Sequence, residues 1–213
     1  HTRLVSDWSS DVCSSDLGYT GDTETYDDIQ NANLMRVIDR RKGLPVALGI
    51  LLIHMARAQG WSITGLNFPG HFLLRLTHAG EQAIIDPFRK AKRLTAENLV
   101  RLVTQVQGPR AKMHAKYLKS VSDRDILLRL QNNIKTRALA AEDTEHALEV
   151  LETMTLISPD SATVVSELAI LEAEAGNFKQ ALDRLTSFLA QRQGHPEEAQ
   201  IVALSKNLKR RLN

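Results

Sequence analysis

One cysteine occurs in 213 residues, and Cys13 lies in a stretch, Ser6 to Leu17, whose composition sets it apart from the rest of the chain. No thiol is left elsewhere for a disulfide, a cysteine-based zinc site or a thiol nucleophile. Aromatic residues make up only 5% of the chain, too few to interleave with basic residues in a nucleic-acid stripe. No apolar run approaches the roughly 20 residues needed to cross a bilayer. Glycine-rich phosphate loops are missing, so a nucleotide site has no support. Metal-ligand spacings are missing too: His78 and His114 form no HxH or HxxxH pair, and Asp27 with Asp28 lacks the alternation of a calcium loop. From these absences we expect no cofactor, no metal, no nucleic-acid partner and no membrane contact, in a soluble protein of the reducing cytoplasm.

Ser6 to Leu17 reads S-D-W-S-S-D-V-C-S-S-D-L, with two S-S-D repeats and an apolar period of neither 2 nor 3.6. From Asp7 onward the string can be encoded by codons that match the end of a common short-read sequencing adapter. Residues 1 to about 17 are therefore expected to be an assembly scar without packed structure, with the native part truncated at its N-terminus. Setting them aside raises the net charge from +2 to +4 over the remaining 196 residues, a mild and dispersed excess. The basic cluster Lys206, Lys209, Arg210 and Arg211 reads as a solvated helix end, where cations suit the macrodipole.

What remains divides in two. Residues 18–108 show a mixed pattern. Asn31 to Arg41 places Leu34, Val37 and Ile38 on one helical face, and Gly43 is expected to end that helix as a left-handed cap. A second helix begins near Leu44, because Pro45 suits a first turn whose N–H would have no partner. Its residues Leu48, Leu51, Leu52, Met55 and Ala56 recur at helical spacing, His54 is expected as a core histidine, and Gly60 closes it. Three β-like runs follow, Ser62 to Leu66, His71 to Leu76 and Gln82 to Ile85, with Thr77 to Gly80 as a hairpin turn. A helix packed on an antiparallel sheet makes this an α+β domain. Residues 109–121 read as a linker, and 122–213 as all-α. There Ala147 and Leu151 recur as Ala181 and Leu185 at the 34-residue tetratricopeptide period, with Ala175-Gly176-Asn177-Phe178 as an inter-helix turn.

The motifs Arg40-Arg41-Lys42-Gly43-Leu44-Pro45, Pro69-Gly70-His71-Phe72 and Asp86-Pro87-Phe88, with Asn31, Leu34 and Gly60, carry a resemblance. Together they resemble the SirB family of bacterial transglutaminase-like proteins, which join a transglutaminase-type (papain-like) domain to C-terminal tetratricopeptide repeats. The resemblance implies that His71 and Asp86 are two members of a cysteine–histidine–aspartate triad. It places the nucleophile near Pro45, where proline supplies neither a reactive side chain nor a backbone donor. Arg40 and Arg41 are candidates for anion contacts at the mouth of the cleft, with Asn31 and Gly70 as further cleft candidates.

A triad lacking its nucleophile points away from an enzyme, toward a non-catalytic, regulatory scaffold whose repeats bind a protein or peptide. Two other readings stay open. A His–Asp pair can activate a bound water, which would make a cysteine-independent hydrolase or peptidase. Alternatively the chain is a plain adaptor in which only the repeats matter. A cleft that keeps His71 hydrogen-bonded to Asp86 and open to solvent would favour the hydrolase, and one filled by side chains the scaffold.

Overall fold

The structure is a computed structural model that describes residues 18–212. The expected scar, residues 1 to about 17, lies outside the described residues. The chain divides after Ile126 into two compact units.

The first unit is built on a five-stranded antiparallel sheet of β3 (Ser62–Leu66), β4 (Leu73–His78), β5 (Glu81–Asp86), β6 (Lys92–Leu94) and β7 (Ser120–Val121), in the order β6-β5-β4-β3-β7. Helix α2 (Pro45–Ala58) packs across β3 and β4. On the opposite face α3 (Ala96–Gln107) buries Leu99, Leu102 and Val103 with Leu66, Phe68, Leu73 and Tyr117. A strand covered on both faces needs apolar residues on both, and Leu73, Leu74 and Leu76 of β4 are all fully buried. Expected β3 agrees residue for residue. The expected strand from His71 starts instead at Leu73 and runs to His78, because His78 pairs with Glu81 and only Ala79 and Gly80 form the turn.

The small elements frame the cleft. Two two-residue strands, β1 (Thr20–Gly21) and β2 (Lys42–Gly43), pair in parallel, and α1 (Leu34–Arg40) lies between them in sequence. The helix does not end on Gly43 as expected. Its left-handed cap is Arg41, at φ 55. Gly43 is needed for close approach instead, since a Cβ there would lie 2.7 Å from the Val37 side chain.

Residues 109–121, expected as a linker, contain a 3-10 turn (Ala115–Leu118) with buried Tyr117 and the fifth strand of the sheet. Arg75 donates to the Leu118 carbonyl, and Asn67 to that of Lys119. These bonds fall between residues about 43 to 52 apart in sequence, so no local pattern announces them. His54, expected in the core, is exposed on the outer side of α2.

The second unit begins at Leu127, inside α4 (Asp123–Ala140), and continues with α5 (Thr144–Ile157), α6 (Ala162–Glu174), α7 (Phe178–Gln191) and α8 (Glu198–Leu212). Leu151 and Leu185, with Ala147 and Ala181, are buried, as the 34-residue period requires. Small residues at 147, 169 and 181 allow neighbouring helices to approach while the leucines fill the layer between them. Inside this packing Arg184 donates from Nε and Nη2 to the buried carboxylate of Glu172 in three contacts, the shortest 2.6 Å.

Candidate active-site cleft

Helix α2 starts without a side-chain cap: Leu44 holds the N-cap position and Pro45 the first turn. What fixes this start is Asn31, fully buried. Its backbone carbonyl accepts from Leu44 N–H at 2.9 Å. Its side-chain amide donates to the Thr25 carbonyl at 2.6 Å and accepts from Arg40 Nη1 at 3.1 Å. Arg40 also reaches Asp22 Oδ2 at 3.0 Å. Asp22 is buried and takes further bonds from Thr25 N–H, Thr25 Oγ1 and Glu24 N–H. These bonds, that from the Thr25 N–H first, hold its carboxyl well below the usual carboxylate range.

Asn31 and Arg40, read as cleft candidates, thus sit behind the wall and brace it. Arg41 does not line the cleft either; its carbonyl accepts from Thr20 N–H at 3.0 Å and so holds β1 to β2.

The cleft itself encloses about 740 Å3 and brings together Pro45, Gly70, His71 and Asp86. Asp86 ends β5 and is 5% exposed. Its carboxylate caps the following 3-10 turn (Pro87–Arg89) by accepting from Phe88 N–H at 3.0 Å, and lies 3.7 Å from Arg89 Nε. Burial pushes the Asp86 carboxyl up, while the Phe88 N–H, Arg89 and His71 pull in the other direction. His71 lines the same cleft as Asp86. It is half-buried and sits at the turn before β4 rather than on a strand. Gly70 takes φ 67, and a Cβ there would meet Val106 at 2.7 Å, so the turn that presents His71 closes only with glycine.

Glycines also set the floor. A Cβ on Gly49 of α2 would fall 2.3 Å from the Phe72 ring, and one on Gly21 of β1 the same distance from the Phe88 ring. The two phenylalanines that follow His71 and Asp86 in the motifs are thus keyed into the helix and β1.

The superfamily profile described as transglutaminase-like matches residues 9–132, more than half of the chain. The chain belongs to the transglutaminase-like superfamily. A tetratricopeptide repeat profile matches residues 134–208. The transglutaminase-like match opens at residue 9 and so overlaps the stretch expected as scar. Among similar proteins, a UPF0162 protein of Vibrio cholerae is 34% identical over 67% of this chain and 53% of its own length. A UPF0162 protein of Pseudomonas aeruginosa is 32% identical over 78% of the chain and 58% of its own length. Human F-box only protein 21 is 32% identical over 44% of the chain and 16% of its own. The chain spans between about half and two thirds of the curated bacterial relatives named here. No solved structure matches it.

Within this transglutaminase-like domain the remaining cleft lining includes Lys42, Glu24, Tyr26, Arg89 and Lys90, none of which stands out in the sequence as a site residue. Lys42 and Glu24 pair at 3.0 Å, and Tyr26 meets Phe88 edge-on at 5.7 Å. Lys90 and its neighbour Ala91 both adopt positive φ, 54 and 51. Such a bend has no signature in residues lacking glycine or asparagine. Among the described residues no cluster of three potential metal ligands occurs, and no helix is long and apolar enough to cross a membrane.

Proposed function

We propose that this chain, a member of the SirB family, is a non-catalytic transglutaminase-like scaffold with a regulatory role, exerted by binding a protein or peptide through its helical repeats. The observation that carries the reading is Pro45 at the first turn of α2, on the wall shared with His71 and Asp86. A thiolate at that point would be stabilised by the helix start and by a histidine partner. The ring of proline offers no nucleophile, and Val46, Ala47 and Leu48 after it offer none either. Asp86 and His71 then serve to hold the cleft in shape or to contact a ligand.

The test is hydrolysis of model amide and ester substrates together with a restored thiol. The wild-type chain is expected to stay at background. In Pro45→Cys the thiol is expected to titrate below the roughly 8.5 of a free cysteine, because His71 and the helix start remain in place. Wild-type hydrolysis that disappears in His71→Ala would overturn the non-catalytic reading. One observation favours the second reading, a water-activating hydrolase. The cleft is open rather than filled, and His71 is part of its lining.

A further inference from the structure

A second large concavity lies within the helical unit. It encloses about 780 Å3 between residues 176–180 at the α6–α7 turn, Asp183, Arg184 and Ser187 on α7, and Leu212 of α8. Charge along this unit is segregated. Residues 142–174 hold nine carboxylates and no lysine or arginine, whereas residues 175–212 hold seven lysines and arginines against three carboxylates. The groove therefore lies in a basic segment that directly follows an acidic one.

Two of those seven cations are already neutralised, Arg184 by Glu172 and Arg192 by Asp160, each at 2.6 Å. Lys179, Lys206, Lys209, Arg210 and Arg211 have no carboxylate within 4.0 Å among the described residues. Lys179 lines the groove. The Arg211 guanidinium lies 5.6 Å from the centre of the Phe178 ring, which holds it at the rim. Asn177, Gln180 and Ser187 add polar side chains with no hydrogen-bond partner among the described residues. Phe178 and the 54%-exposed Leu212 form an apolar strip among them. Asp183 is the single carboxylate of the lining.

We propose that this groove binds an acidic peptide segment, its carboxylates against Lys179 and Arg211 and an apolar side chain on the Phe178–Leu212 strip. The inference rests on the repeat-mediated binding stated above and names the chemistry of the partner. A peptide fits better than a nucleic acid because Phe178, with Arg211 over one face of its ring, is the single aromatic residue of the lining, whereas a single strand needs successive aromatic platforms for its bases.

Fluorescence anisotropy on the full chain tests it, using a labelled peptide with two acidic residues on either side of a leucine. Controls are the same peptide with lysines for the acids and a single-stranded oligonucleotide of equal charge. The acidic peptide is expected to bind saturably, to weaken with added salt, and to lose about tenfold in affinity in Lys179→Glu/Arg211→Glu, two rim charges being worth roughly 1.4 kcal/mol together. Lys179→Arg/Arg211→Lys is expected to keep binding. Should the reversal variant lose its helical circular dichroism, Lys179→Gln/Arg211→Gln replaces it, with an expected loss of about threefold. Absence of saturable binding, unchanged affinity in the folded reversal variant, or equal binding of the oligonucleotide each overturns the proposal. None of these outcomes bears on the hydrolysis assay, so the two readings fail separately.

Discussion

Ala79 and Gly80 join β4 to β5 in a two-residue turn with positive φ at both positions, 49 and 82. Glycine takes this conformation freely, while an alanine Cβ is crowded by its own carbonyl. Ala79→Gly or Ala79→Asn is expected to raise stability by about 1 kcal/mol, read as a shift in urea midpoint at unchanged slope. Asp22 and Asp86 are both buried carboxylates, yet they depend on pH in opposite ways. The folded-state value of Asp22 is lowered, so its stabilisation is present above the unfolded value of roughly 3.9 and is lost as pH falls toward the folded one. Asp22→Asn should cost about 1–3 kcal/mol at pH 7, and the gap to wild type should narrow below about pH 4. An unchanged gap on acidification would show that Asp22 is not the anchor of this loop. Burial raises Asp86, so protonation favours the folded form, and the ionised group costs stability once pH rises through the folded value. Asp86→Asn keeps the acceptor for Phe88 N–H and is expected to melt at or above the wild-type temperature at pH 7. That outcome would argue that Asp86 serves the cleft rather than packing, and a melting temperature well below wild type would argue the reverse.

The elements that frame the cleft are coupled through a few contacts in which glycine makes room for phenylalanine. Gly49→Ala improves helix propensity by about 1 kcal/mol in isolation. Here its Cβ would fall 2.3 Å from Phe72, and overpacking is expected to win, with a net loss of about 1–3 kcal/mol. Phe72→Leu removes the offending ring edge, so the double variant should lose less than the sum of the two single losses. Additivity in that cycle would mean that α2 and the His71 turn are not keyed together. Helix α3 illustrates the opposite case. It is not among the expected elements, although its signals are local: Thr95 and Asn98 form a reciprocal capping box, and Leu99, Leu102 and Val103 make one buried stripe.

Two units with separate cores divide the cleft from the repeats. Repeat helices are stabilised mainly by their nearest neighbours, so a lesion in the middle spreads along the array. Leu168 is fully buried on α6, in a core with Leu151 and Met154. Leu168→Ala is expected to cost about 2–5 kcal/mol, with hydrogen-exchange protection falling together over α5, α6 and α7. Loss confined to α6 would contradict nearest-neighbour coupling.

What the sequence by itself determined is what near neighbours or a fixed period record: the start of α2 at Pro45, strand β3 and the 34-residue helical period. Helical spacing, turn chemistry and side-chain identity are properties of neighbours along the chain, so they can be read there. Tertiary structure decided which of the other motif residues line the cleft. Arg40 and Asn31 look like site residues in their motif, but the Asp22 carboxylate, 18 residues from Arg40 in sequence, draws Arg40 behind the wall. Residues 109–121 look like a linker until Ser120–Val121 finds the free edge of β3, more than fifty residues away. His54 lies within an apolar helix but faces water, because sequence period cannot say which side of a nearly all-apolar helix meets the sheet. In each case the outcome depends on a hydrogen bond or packing partner distant along the chain, and that pairing exists only once the chain has folded.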